Sequence, residues 1–128
     1  MSKSFLLIGA AGGALAVVLG AFAAHGLKKI VPPESISTFE TGVRYQFYHT
    51  FALLILGILI EKFPGPLMSW AGYCFIIGII LFSGSLYLLT LLRSTESVGL
   101  SWIGIITPFG GLFLIAGWLL LFIRILKK

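Results

Sequence analysis

Charge is scarce in this sequence, and its scarcity excludes more than any motif establishes. Only 10% of the 128 residues are charged, against 59% hydrophobic, whereas soluble domains carry about 25% charged residues. A chain this apolar would leave large hydrophobic patches in contact with water, so a soluble globule is not expected. Cysteine is nearly absent as well. Cys74 stands alone, so no intrachain disulfide can form, and no cysteine cluster or haem-attachment motif is there to hold a redox metal. Within its apolar run Cys74 reads as a small core hydrophobe. A formal net charge of +5 does not indicate nucleic-acid binding, because no segment forms a basic stripe or a stacking platform. Lys28, Lys29, Lys127 and Lys128 instead stand just beyond hydrophobic runs, where cations meet lipid headgroups. No nucleophile–base arrangement is visible, and the two histidines and scattered glutamates lack a third ligand at a plausible position for a metal site. An enzyme is therefore the weakest reading, and no cofactor is expected.

What the sequence has is long uncharged runs. Residues 4–27 are uncharged apart from His25, which can titrate, and residues 63–92 and 97–123 carry no charge at all. Each exceeds the roughly 20 apolar residues needed to cross a hydrocarbon core about 30 Å thick. A further stretch, residues 45–60, is bounded by Arg44 and Glu61 and is too short. If it spans, its helix must begin near Thr41 and draw Arg44, Tyr45 and Gln46 into or near the membrane. The expected fold is an all-α integral membrane protein, a four-transmembrane-helix up-down bundle. It forms one domain over residues 1–128, with approximate spans 4–25, 41–60, 68–92 and 102–124. Lys3 before an apolar core and Ala21-Phe22-Ala23 resemble a signal peptide, but the apolar stretch is longer than the usual one, and a retained helix is expected.

Start and stop signals agree with this division. Gly26 after His25 suits a helix C-cap, Lys28 and Lys29 complement the helix dipole, and Pro32-Pro33 forbid continuation. Ser37 and Glu40 have capping-box spacing, which would start the second helix shortly before its apolar part. Pro64-Gly65-Pro66 makes a tight turn into the third helix, and a polar loop over residues 94–101 precedes Trp102, an interfacial anchor. Loops this short place both termini on one side. Lys3, Lys62, Arg124, Lys127 and Lys128 lie there, against Lys28, Lys29, Arg44 and Arg93 opposite. With Arg44 set aside as intramembrane, the balance favours cytoplasmic termini.

Small residues mark where helices meet. Gly9, Gly13, Ala16, Gly20 and Ala24 form one stripe down the first helix, and Gly9 and Gly13 have the spacing that lets membrane helices approach closely. The stripe suits packing inside the bundle or between protomers. It is no phosphate loop, since no strand precedes it and no lysine follows at the required spacing. Pro108, followed by Gly110-Gly111, predicts a kink in the fourth helix, with Thr107 available to the freed carbonyls.

Polarity gathers at one end. Counting back from Glu61 at 1.5 Å per residue, His49 lies roughly 18 Å into the span and Arg44 some 25 Å, just inside the near interface. A charge at helix centre costs about 2.5–3.5 kcal/mol on insertion scales, and Glu40 stands four residues before Arg44, the favoured order for a helical ion pair. Glu40, Arg44 and Phe47 share one helix face and Tyr45, His49 and Ala52 another, so His49 requires a partner from a neighbouring helix. The topology brings His25, Glu40, Arg44, Tyr45, Gln46, Tyr87 and Thr90 to one half, with His49 deepest. They form a candidate polar pocket for a lipid headgroup, a quinone or a proton path, or else an internal network that fixes helix register.

Several segments carry a resemblance. Gly20-Ala21-Phe22-Ala23-Ala24-His25-Gly26-Leu27-Lys28, Phe39-Glu40-Thr41-Gly42-Val43-Arg44-Tyr45-Gln46-Phe47-Tyr48-His49, Phe82-Ser83-Gly84-Ser85-Leu86-Tyr87, and Ile106-Thr107-Pro108-Phe109-Gly110-Gly111 with Gly117-Trp118 resemble the bacterial membrane family catalogued as domain of unknown function 423. Eukaryotic transmembrane protein 256 is similar. Ala23 stands where glycine is expected, a small-for-small change. The resemblance implies a small multipass plasma-membrane protein and supplies no mechanism or catalytic residues. The expectation is a non-enzymatic accessory or structural membrane component, its partners being membrane lipids and a second copy or a larger membrane complex. The alternative is a small transporter or lipid- or quinone-binding protein using the polar half.

Overall fold

The computed structural model describes residues 2–94 and 102–127. Among the described residues the elements are helical: α1 (Lys3–Ala24), α2 (Pro33–Leu59), α3 (Pro66–Ser94) and α4 (Ile103–Leu126), with a single 3-10 turn at Leu27–Lys29 between the first two. Three helical stretches, Lys3–Lys29, Pro66–Arg93 and Ile103–Leu126, are long and apolar enough to cross a membrane. α2 is long enough but is not among them, because Arg44, Gln46 and His49 lower the hydropathy of even its most apolar part.

Helix ends follow from local chemistry. Ser2 caps α1, its hydroxyl accepting from the Phe5 N–H at 3.3 Å. Pro32 is extended before α2 and Pro33 sits at the first helical position, where a missing N–H costs nothing and the ring fixes φ. α2 therefore begins about two turns before the Thr41 start expected from hydropathy. Ser37 and Glu40 lie inside it and form no capping box: the Ser37 carbonyl accepts from the Thr41 hydroxyl at 3.0 Å. Gly26 is right-handed, with φ −66°, and His25 closes α1 instead. Left-handed geometry falls at Gly65, φ 127°, between two prolines in the α2–α3 turn, where a side chain would be strained. The loop expected over residues 94–101 lies outside the described residues, apart from the Ser94 backbone that ends α3.

The helices pack antiparallel in chain order. Gly9 faces Leu54 and Gly20 faces Val43, so α1 and α2 run in opposite directions. Gly42 lies against Tyr87, and Gly110 and Gly117 lie against Phe82 and Phe75, which reverses direction twice more. One apolar core joins Phe5, Leu53, Leu56, Met68, Phe75 and Leu114 across all four helices. A second, formed by Ala16, Ala23, Leu27, Phe39 and Val43, closes the α1–α2 end. In lipid these apolar contacts carry little net drive, so close backbone approach matters more. At Gly110 it is closest: a Cβ there would fall on the Leu81–Phe82 peptide, 2.8 Å from the Phe82 Cα. α4 stays helical through Pro108. The Thr107 hydroxyl, expected to serve carbonyls freed by that proline, instead meets Ser85 Oγ at 2.6 Å.

Ends are tied separately. The Ser2 N–H donates to the Gly57 carbonyl at 3.0 Å. Arg124 Nε donates to the Pro64 carbonyl at 2.8 Å, and Arg124 and Lys62 both stand over the Phe63 ring.

Candidate functional site

Among the buried polar side chains, Gln46, Ser83, Ser85 and His49 fall into two separate constellations, while Thr50 Oγ1 lies buried with no partner among the described residues. The first centres on Gln46, which is 4% exposed and reaches both neighbouring helices from α2. Its Nε2 donates to the Gly12 carbonyl of α1 at 2.8 Å, and its Oε1 accepts from the Tyr87 hydroxyl of α3 at 2.6 Å. A carbonyl can only accept, which settles the amide's orientation. One turn away, Ser83 Oγ donates to the Gly42 carbonyl at 2.7 Å. Gly42 permits that approach, since a Cβ would lie 2.8 Å from the Tyr87 ring. Ser85 gives its proton to the Phe82 carbonyl at 2.9 Å, so Thr107 must donate in their shared bond, linking α3 to α4.

The second constellation centres on His49. Its Nδ1 stands 2.7 Å from the Tyr45 carbonyl, and Trp118 Nε1 donates to its Nε2 at 3.0 Å. Indole N–H can only donate, so Nε2 carries the lone pair and Nδ1 the proton, and the imidazole is neutral. This is the neighbouring-helix partner that the helical phase of His49 required, and α4 supplies it. Around the pair, Tyr45, Tyr48, Phe82, Gly111, Leu114 and Ile115 line a groove of about 570 Å³ on the outer face between α2, α3 and α4. His49 is buried, whereas Tyr45, Tyr48 and Trp118 are each more than a third exposed.

The residues expected to share one pocket are thus divided. Gln46 with Tyr87 lies between α1, α2 and α3, and Tyr45 with His49 lies in the lateral groove. Thr90 is buried and donates to the Leu86 carbonyl at 2.9 Å, with the Ser35 carbonyl at 3.4 Å. His25 is exposed and, among the described residues, bonds only the Ala21 carbonyl one turn before it, at 3.1 Å. Arg44 is exposed and donates to the Thr41 hydroxyl at 3.2 Å rather than pairing with Glu40, which is also exposed. Thr90, His25 and Arg44 thus each bond a group one turn away on the same stretch of chain. Gly9, Gly13 and Gly20 face α2: Cβ atoms there would stand 2.9 Å from Leu54, 3.4 Å from Thr50 and 3.6 Å from Val43. Trp118, Ser83, Ser85 and Thr107 were not among the expected site residues. For Trp118 the sequence offers no signal beyond its polar tip within the α4 run, because its level relative to His49 is set by how α2 and α4 pack. Among the described residues no group of three or more His, Cys, Asp or Glu comes together.

Long apolar helices joined through glycines and buried hydrogen bonds define an α-helical membrane protein. The chain belongs to the family described as Protein of unknown function (DUF423), whose family model matches residues 19–111. It is 38% identical over 126 residues to UPF0382 membrane protein YwdK of Bacillus subtilis (strain 168), covering 98% of each chain. It is also 41% identical to UPF0382 membrane protein SAB0533 of Staphylococcus aureus (strain bovine RF122 / ET3-1), covering 98% of this chain and 97% of the relative. A UPF0382 membrane protein of Haemophilus influenzae (strain ATCC 51907 / DSM 11121 / KW20 / Rd) is 40% identical over 122 residues, 93% of this chain and 90% of the relative. No solved structure matches.

Proposed function

We propose that this protein is a non-enzymatic structural or accessory component of the cell membrane, crossing it four times with both termini in the cytoplasm. The observation that carries the reading is the use made of the buried polar groups. Buried Gln46, Ser83, Ser85 and His49 each bond a group on a different helix, the last two through the less buried Thr107 and Trp118, which joins α1 to α2, α2 to α3, α3 to α4 and α2 to α4. Such bonds hold helices together where lipid removes the hydrophobic drive. No nucleophile–base pair emerges among these bonds. The carboxylates of Glu34 and Glu40 and the imidazole of His25 face outward, away from any enclosed reaction space.

α2 is the fourth crossing in this reading. Its 27 residues extend about 40 Å at 1.5 Å per residue, longer than the hydrocarbon core. Glu34 and Glu40 fall toward one end, at headgroup depth, with Arg44 just inside it. Cysteines placed singly at Glu34 and Lys62, with Cys74 replaced by serine, are expected to react with an impermeant thiol reagent from opposite sides of sealed vesicles. Reaction of both from one side would make α2 a re-entrant or surface helix and sink the four-span reading.

The non-enzymatic claim has its own test. His25→Ala, Glu34→Gln and Glu40→Gln are expected to keep the wild-type melting temperature in detergent and to complement a deletion strain fully. A variant that melts normally and fails to complement would assign chemistry to that side chain and overturn the reading.

A further inference from the structure

We infer that the lateral groove beside His49 is a binding site for the ring of a membrane quinone, entered sideways from the lipid. The placement of the groove within the membrane rests on α2 being a crossing helix, which the cysteine labelling above tests independently.

Depth is the first argument. Tyrosine and tryptophan are enriched where a membrane meets water, because each has an apolar body and a polar tip. Tyr48 and Trp118 line this groove next to His49, and His49 lies roughly 18 Å along α2 from Glu61, near the middle of a crossing about 30 Å thick. Polar-tipped aromatics are therefore grouped at a depth where lipid offers their tips no hydrogen-bond partner.

The second argument is the donor and acceptor inventory. The lone pair on His49 Nε2 and the Trp118 N–H satisfy each other. The Tyr45 and Tyr48 hydroxyls have no protein partner among the described residues. The groove's wall thus holds two spare hydroxyl donors, and its single strong side-chain acceptor is already engaged. Each hydroxyl can donate as well as accept, so both can donate to the carbonyl oxygens of a quinone ring. An acyl chain would leave both hydroxyls unmatched.

Shape is the third. A volume of about 570 Å³ is within the range of small-molecule sites, about 300–1,000 Å³. The walls are aromatic: Tyr45 packs on Phe82 at 4.6 Å and lies nearly parallel to His49, with 18° between the rings. A flat ring bearing carbonyl oxygens meets aromatic faces on its surfaces and hydroxyl donors at its edge. Gly111 leaves room for it, since the nearest atom to a Cβ there is the Phe82 ring at 3.8 Å. The His49–Trp118 bond fixes both rings as wall. The proposal is binding of the oxidised ring, with no electron transfer assigned to this chain.

The full chain in lipid nanodiscs, with Trp70→Phe and Trp102→Phe so that Trp118 alone fluoresces, is titrated with decylubiquinone. Quenching of Trp118 is expected to saturate. Gly111→Leu should abolish saturation, leaving the linear quenching of a quinone dissolved in lipid. Gly104→Leu, at a glycine with nothing within 4 Å, should preserve it. If Gly111→Leu does not fold, Ile115→Trp, read by displacement of bound quinone in pull-down, fills the same wall. Tyr45→Phe with Tyr48→Phe should weaken binding about tenfold, which corresponds to about 1.4 kcal/mol. Linear quenching in the unmodified groove, equal saturation in the Gly111 and Gly104 variants, or undiminished affinity without the two hydroxyls would each overturn the proposal.

Discussion

Replacing Gly110 with leucine is expected to leave almost no folded protein after extraction in mild detergent, while leucine at Gly104 leaves the yield near wild type. Forcing extra volume against movable core side chains costs about 1–3 kcal/mol. At Gly110 the obstacle is the main chain of α3, with the Leu81 carbonyl carbon and the Phe82 Cα both 2.8 Å from the new Cβ. No rotamer change relieves that collision, so α4 must move off α3. The departure would also part Ser85 from Thr107 and carry Trp118 away from His49. Size-exclusion chromatography and far-UV circular dichroism of the two variants read the outcome directly. A monodisperse, helical Gly110→Leu protein melting like the Gly104 variant would mean that the helices do not meet where the structure puts them.

Gln46→Leu is expected to give a protein that inserts but unfolds at distinctly lower denaturant than wild type. Leucine fills much of the same volume, so the loss isolates the two bonds to Gly12 and Tyr87. Interhelical hydrogen bonds in membrane proteins average about 0.6 kcal/mol with a maximum near 1.7, so the pair should contribute roughly 1–3 kcal/mol. The loss includes taking from the Tyr87 hydroxyl the acceptor to which it donates. Adding Tyr87→Phe to Gln46→Leu should therefore recover part of the stability, a non-additivity visible in a double-mutant cycle. The measurement is the unfolding midpoint in mixed micelles of dodecyl maltoside and dodecyl sulfate. If Gln46→Leu unfolds with the wild type, the buried polar groups do not hold the helices, and the function proposed from them falls.

Much of the architecture is legible in the sequence. Hydropathy located the three apolar helices because uncharged runs of that length have few alternatives to a helix that satisfies its own backbone. α2 was harder. Its polar first half gave no hydropathy signal, and the helix start expected near Thr41 was set instead by Pro33, a local conformational preference that burial does not register. Gly26 misled for a related reason. Glycine permits a left-handed cap without requiring one, and here the chain turns through a 3-10 segment with Gly26 right-handed.

The polar residues show the limit more sharply. Sequence position and helical phase correctly demanded a neighbouring-helix partner for His49. They could not choose Trp118, since that depends on the relative height and rotation of α2 and α4. Glu40 and Arg44 had ideal spacing for an ion pair, yet Arg44 turns to Thr41, three residues before it on the same helix. Grouping by helix end placed Gln46, Tyr45, His49 and Arg44 together. Their side chains project to different faces of one helix, and only packing reveals which neighbour each face meets.

Composition and charge placement alone determined that this chain belongs in a membrane, how many apolar helices it commits, and which residues had to find partners there. Those properties depend on transfer free energies that act residue by residue, wherever the neighbours are. Tertiary structure decided which partner each polar group found, and that the groove beside His49 exists at all. Both depend on helix rotation and height set by glycine contacts such as Gly110 on the Phe82 backbone, where a single methyl group would change the answer.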